Sequence, residues 1–376
     1  MEHRFVLTRD SGLARLEAFA PRAGRAYAAG RNADLGEDGG TATSALSPYL
    51  RRRLILEREV VDAAVAAAGA GAAEKFVQEV FWRSYFKGYL ETRPSIWGDY
   101  RALVAAGEER LAAEAGLRAA YEAAVGGRTG IECFDDWAAE LVSTNWLHNH
   151  TRMWFASIWI FTLGLPWALG ADFFMRHLID GDPASNTLSW RWVAGLHTRG
   201  KAYAARAENI HRYTSGRYSP TGLNESPRAL VEDEVVSPAT LPAAEGAPSG
   251  DVALLLHLDD LCVESLDLGG ARVVRVGGLV AHADGAAEVV READREAMAD
   301  GLERASAFFG CEAVAVGDGW AEGLPVVTAW APVGPSASAL PAGCRRVRRG
   351  WDELAWPRST RGFFQLKAAI PRVLAG

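Results

Sequence analysis

Residues 153–171, MWFASIWIFTLGLPWALGA, carry no charged side chain, and no other stretch limits the possible fold as strongly. The run is long enough to raise a transmembrane helix, since a bilayer core needs about 20 apolar residues. Gly164 and Pro166 argue against one, because they break the helix where lipid offers no replacement hydrogen bonds. Buried helices of a large soluble domain fit better, and no membrane partner is expected. Two polar clusters flank the run, HNHTRM at 148–153 and DGDPASN at 180–186. They fall at the ends of those buried helices, where irregular backbone can meet a ligand.

In the first cluster Asn149, Arg152 and Met153 share one helix face, being three and four residues apart. In the second, Asp182-Pro183 reads as a helix start, with Asp as N-cap and Pro in the first turn. Asn186 and Trp190 follow at four-residue spacing. A buried Arg152 needs a buried carboxylate, and Asp180 is the natural partner. His148 and His150 are two residues apart, and each helical step turns by about 100°. They do not converge, so no metal is expected there.

The chain has 376 residues, 49% hydrophobic and 23% charged, which is ordinary globular composition. The length favours two domains. The four cysteines stand alone, without a C-x-x-C pair, so neither zinc nor a disulfide framework is expected. The N-terminal MEHRFVLTRDSG has no apolar signal core, which gives a cytoplasmic expectation. A net charge of −7 does not advertise nucleic-acid binding, although a local basic face could supply it.

HNHTRM followed by LIDGDPASNTLSWRW resembles the flavin-binding helical domain of the photolyase/cryptochrome family, with its HN-x-x-RM, DGD-x-x-x-N and W-x-W pattern. The resemblance covers about residues 10–220. It implies a mainly α fold with an all-helical FAD-binding domain, and FAD as cofactor. His148, Asn149, Arg152, Asp180, Asp182 and Asn186 would hold the flavin. Arg152, held by Asp180, would favour a reduced, anionic flavin, and Asn186 would face the flavin N5 edge. Trp190 and Trp167 match the inner members of the family's electron-carrying tryptophan chain. Its outermost member stays open among Trp97, Trp137, Trp154 and Trp159. An iron–sulfur cluster, carried by some relatives on four cysteines, is not expected.

Further upstream, Tyr27 takes the place of an aromatic near the flavin phosphates and Arg31 that of a basic residue facing DNA. TATSALSPYL at 41–50 is similar to the loop that wraps the flavin diphosphate, with Thr43, Ser44, Leu46 and Ser47 in the matching places. By residue type, Ser47-Pro48 reads as an N-cap and first-turn proline, with Thr41 among the preceding hydroxyls, and a helix N-terminus suits an anion. Residues 75–90, KFVQEVFWRSYFKGYL, form an amphipathic helix. Lys75, Glu79 and Arg83 step along it by four. It resembles the family's W-x-x-E-x-x-WR helix. That gives Glu79 a hydrogen bond to a pyrimidine dimer, Trp82 a stack on it, and Arg83 a place beside the flavin. Gln78, His150, Met153 and Trp192 complete the implied DNA-contacting set. RPSIWGDY at 93–100 reads as a turn, followed by an Ala-rich helix to about 125. Arg199, Lys201, Arg206, Arg212 and Arg217 form a basic strip that could follow phosphates.

The expected division is a helical domain over 1–220, a linker over 221–250 and a small α/β domain over 251–376. The last alternates short apolar runs with one helical stretch and has the look of a relocated, trimmed antenna domain. Whether it holds an antenna chromophore is left open. The implied activity is light-dependent repair of pyrimidine dimers in DNA by a lyase of the deoxyribodipyrimidine photolyase kind. The alternative is a cryptochrome-like photoreceptor without repair.

Overall fold

The structure, a computed structural model, describes residues 5–36, 42–233 and 235–375. Thr41 lies outside the described residues. The chain forms two compact units that interleave along the sequence. One comprises Ala26–Thr43 and Ser95–Ser237; the other comprises Met1–Arg25, Ser44–Pro94 and Pro238–Gly376. These boundaries cut across the expected ones at 220 and 251, because residues 44–94 group with residues 238–376.

The first unit is helical. Its uncharged run divides where Gly164 and Pro166 foretold. Helix Asn149–Ser157 runs into a widened turn, Ile158–Thr162, in which the Leu163 N–H donates to the Ile158 carbonyl five residues back. Gly164 then takes a left-handed φ of +66°, and Pro166 precedes helix Trp167–His177. Trp137, Trp154 and Trp159 are fully buried at the centre. An aromatic of this size removes about 150–250 Å² from water, so each contributes several kcal/mol at ~25 cal/mol per Å². Residues 93–100 are not all turn: helix Ser95–Ala113 starts directly after Pro94. Ile96 and Tyr100, four apart, bury one face of it, and that burial outweighs the turn-forming residue types. The Ala-rich run breaks at Glu114, and a second helix, Ala115–Val125, follows. No helix among the described residues is long and apolar enough to cross a membrane.

The second unit is mixed. Helices Glu57–Ala68 and Ala70–Glu91 are joined by Gly69 alone, at φ +79°. Five strands follow: β1 Gly250–His257, β2 Ala271–Leu279, β3 Glu312–Ala315, β4 Val326–Ala329 and β5 Arg345–Val347. All pairs are parallel and the order is β3-β2-β1-β4-β5. Helix Glu288–Phe309 connects β2 to β3 and packs on the sheet. Parallel sheets are covered on both faces, and Val252–His257 of the central strand are buried without a break.

The strand order reverses at β1, and in open α/β sheets ligands bind beyond the carboxyl ends of the strands at such a point. Here that place holds the chain's own ion pairs. Three consecutive arginines each take a different carboxylate: Arg51 binds Asp259 at 2.7 Å, Arg52 binds Asp294 at 2.6 Å, and Arg53 binds Asp352 at 2.7 Å. Arg53 also meets Glu57 and Asp260, and Arg349 closes on Asp260 at 2.6 Å. Burial alone would raise the Asp260 carboxyl; Arg349 and Arg53 outweigh it and hold it below the usual range.

Removing one partner of a buried network strands the others, at a cost of about 3–5 kcal/mol. Arg53→Met is therefore expected to lower the urea midpoint strongly. Arg272→Met, at the exposed Arg272–Asp251 pair, is expected to leave it unchanged. Equal midpoints for the two variants would contradict the network's structural role.

Candidate cofactor site

The helical unit brings both polar clusters together. Arg152, from helix Asn149–Ser157, donates to both oxygens of Asp180 at 2.9 and 3.0 Å, and its Nε donates to the Leu147 carbonyl at 2.9 Å. Asp180 is buried and Arg152 half-buried. The loop bearing Asp180 is tied down by Ile179 N–H to the Asn145 carbonyl. Asp182 then caps helix Pro183–Val193, accepting from Ser185 N–H at 2.8 Å with Pro183 in the first turn. Asn186, buried one turn on, spends one amide N–H on the Ala171 carbonyl at 2.8 Å. That bond fixes its rotamer. An amide has a second N–H and a carbonyl oxygen for another partner.

His148 caps the other helix. Its Nδ1 accepts from His150 N–H at 3.2 Å, which places the ring proton on Nε2. Burial pushes its pKa down to about 4, against the pull of Asp34, so the ring is neutral at pH 7. Nε2 is buried with no well-formed hydrogen bond among the described residues, although the Arg31 backbone is near enough to favour its proton. The charge of Arg152 disfavours protonation of this ring, and Asn149, next in the chain, is exposed. Such a donor set, with a fixed cation, suits a polar ring system or an anionic group, and it fits a flavin.

The other expected residues of this unit are placed as follows. Tyr27 is buried, and Arg31 and Thr43 are half-buried. Both His150 nitrogens are engaged inside the unit, with the Asn32 carbonyl at 3.0 Å and the Tyr203 hydroxyl at 3.2 Å. Its ring stacks on Trp154. Met153 packs against the core, and Trp192 lies against Tyr203. Trp190 and Trp167 are buried. Of the four tryptophans competing for the outer place, Trp137, Trp154 and Trp159 are fully buried and Trp97 is half-exposed. Tyr100 bridges Trp97 and Trp167, with ring centroids at 5.2 and 5.9 Å. The five basic residues of the strip are exposed, but Arg217 is paired with Asp34. Asp34 is a residue the sequence reading missed. It is buried, binds the Thr151 hydroxyl at 2.5 Å, and accepts from Gly36 N–H. The turn sequence N-A-D-L-G was its one local signal.

Within the mixed unit, Ser47 does not cap its helix. It is the first residue of the short helix Ser47–Arg51, and Leu46 holds the cap position without a side-chain bond. The left-handed Ala45, at φ 49°, turns the chain one residue earlier than the Ser-Pro pair suggests. Ser44 Oγ accepts from Leu46 N–H at 3.4 Å. Glu79 is half-buried, and Gln78 donates to Glu74. Arg83 does not continue a Lys75–Glu79 ladder alone; it donates to Glu57 and to the Arg51 carbonyl. One face of Trp82 is covered by Phe363, at 3.9 Å and an interplanar angle of 9°.

Residues 76–220 match the family model described as the FAD binding domain of DNA photolyase. The deoxyribodipyrimidine photo-lyase of Streptomyces griseus is 34% identical over 184 residues, 46% of this chain and 39% of that protein. The Synechococcus sp. enzyme of the same name is 33% identical over 194 residues, 49% of this chain and 38% of that protein. The chain thus spans about two-fifths of the length of these relatives. Among solved structures, a bacterial class III photolyase from Agrobacterium tumefaciens aligns with a TM-score of 0.46 and 25% identity, over 55% of this chain and 43% of that one. The Synechocystis sp. cryptochrome aligns with a TM-score of 0.47 and 24% identity, over 57% and 46%.

The lowered value of His148 sets a pH dependence. Between about pH 6.5 and 4 the unfolded chain binds a proton that the folded chain refuses, so stability is full above 6.5 and falls as pH drops through that window. His148 contributes up to about 3 kcal/mol to that fall. Urea unfolding across this range should show a flatter profile for His148→Asn, which keeps a cap but cannot titrate. Parallel profiles would contradict the assignment.

Proposed function

We propose that this chain, whose residues 76–220 match the FAD binding domain of DNA photolyase, belongs to the photolyase/cryptochrome family and is a light-driven repair flavoprotein acting on pyrimidine dimers in DNA. The observation that carries the reading is the pre-formed polar cradle of the helical unit, with Arg152 locked on Asp180, Asp182 committed as a cap, and a neutral, buried His148 at the start of the facing helix.

FAD, when bound, supplies the light absorption and the one-electron chemistry. The chain's residues do the rest. Asn149, His148 and Asn186 offer neutral hydrogen-bonding groups. Arg152 holds a positive charge that disfavours loss of electron density from a nearby ring, and Asp180 keeps its guanidinium in place. Tyr27 and Thr43 of the same unit are the proposed phosphate-side contacts. Trp190 and Trp167 are proposed to refill the cofactor with electrons, with Tyr100 and the half-exposed Trp97 leading outward.

A dimer must leave the base stack to be repaired. Glu79 and Trp82 of helix Ala70–Glu91 are the proposed lesion contacts, with Gln78 on the same helix as a further DNA contact. Phe363 stacks on one face of Trp82, and Tyr85 and Phe86 also contact its ring, so the indole is braced in place.

The second reading is a blue-light photoreceptor without repair. The engaged nitrogens of His150 favour it, because this ring has no spare donor to give to DNA.

Blue light on the flavin-loaded protein with dimer-containing DNA tests the choice. Repair predicts dimer loss that Glu79→Gln slows at least tenfold while flavin content is kept. Flavin photoreduction without dimer loss would establish the photoreceptor reading. For the cradle itself, Asp182→Ala and Asn149→Ala should each weaken FAD about tenfold or more, the effect of losing a hydrogen bond worth roughly 1.5 kcal/mol. Unchanged flavin content in both would contradict the site.

A further inference from the structure

We infer that Trp159 and Tyr121 form a second electron path, which branches from Trp190 and ends on a tyrosine at the protein surface. The inference rests on the flavin reading above and adds to it a route that does not use Trp167.

The geometry is continuous. The Trp190 ring meets the Trp159 ring edge to face, with centroids 6.3 Å apart and an interplanar angle of 88°. Trp159 in turn meets Tyr121 at 5.9 Å and 90°. Both contacts fall inside the range of directly packed aromatic pairs. Trp190 and Trp159 are buried, whereas Tyr121, on helix Ala115–Val125, is half-exposed. Three rings therefore lead from the helix that carries Asn186 to solvent. Tunnelling weakens exponentially with the gap, so rings in contact favour successive short hops over one long one.

Two features show that the Trp190–Trp159 contact is built into the chain. A Cβ at Gly170 would lie 2.4 Å from Trp190 and 2.8 Å from Trp159, so only glycine leaves room for the two indoles to meet beside that helix. The Trp159 indole N–H donates to the Pro166 carbonyl at 2.9 Å, which fixes the ring plane. Pro166 is itself the residue that divides the uncharged run, so the break in the helix and the orientation of Trp159 have one cause.

The electrons balance as follows. Trp190 gives one electron to the photoexcited, oxidised flavin. Trp159 refills Trp190, and Tyr121 refills Trp159. The phenolic proton of Tyr121 leaves to water at its exposed side, so the hole ends as a neutral tyrosyl radical. One electron has moved to the flavin and one proton to solvent. A thiol reductant in solution returns the radical to phenol by giving back an electron and a proton.

The test uses the full chain loaded with FAD, with flavin content measured by absorbance before illumination. Blue light followed by rapid freezing and electron paramagnetic resonance should show a tyrosyl signal. Tyr121→Phe should abolish that signal, and Tyr100→Phe and Trp97→Phe should keep it. Trp159→Phe should lose the signal and slow photoreduction several-fold; because Trp159 is buried, the surface variant Tyr121→Phe is the decisive one. A signal that survives Tyr121→Phe, or that disappears only in Tyr100→Phe, overturns the branch. So does a flavin-loaded wild type with no tyrosyl signal. A chain that takes up no flavin overturns the underlying reading and the branch together, and the absorbance measurement tells the two failures apart.

Discussion

The ion pair between Arg152 and Asp180 is the contact on which the helical unit's polar cradle depends. It joins two clusters 28 residues apart and holds them at one place. Asp180 has almost no exposure, so without its cation it would be an unpaired buried carboxylate, which costs several kcal/mol. The bond to the Leu147 carbonyl aligns the guanidinium, the Asn145 carbonyl holds the following loop, and the loop delivers Asp182 as a cap. Asn186 is then one turn into a helix whose start is already determined. The groups are oriented before any ligand arrives, and such preorganisation lowers the entropy cost of binding.

The mixed unit uses the same physics for a different end. Where a parallel sheet with reversing strand order has its usual crevice, three arginines and five carboxylates close on one another. The sheet segment is thereby joined to the helix pair of the same unit, and its C-terminal helix Phe363–Ala375 puts Phe363 against Trp82. The α/β segment thus shapes the surroundings of Trp82.

What could be read in advance was what is local. The Asp182-Pro183 start, the break at Gly164 and Pro166, and the strands of alternating α/β character are decided by residues next to each other. The Arg152–Asp180 pair was legible because a buried cation demands a carboxylate and few were in reach. Arg51, Arg52 and Arg53 were not legible. A run of three arginines is ordinarily solvated, and the carboxylates that bury it are between 4 and 299 residues away. Asp34 was hidden for the same reason, its Thr151 partner being 117 residues on. Ser47 was misread as a cap because a left-handed Ala45 moved the turn. That Trp97 is half-exposed while Trp137, Trp154 and Trp159 are buried could not be read from residue type alone. Likewise the interleaving of the two units is a tertiary property, since no composition change marks residues 26, 44 or 95.

The central claim is that this cradle exists to hold FAD. The most direct measurement is to purify the chain in the dark, incubate it with excess FAD, remove what is unbound, denature it, and quantify the flavin released. The account predicts flavin close to equimolar with protein. No flavin in the supernatant from a correctly folded chain would contradict it.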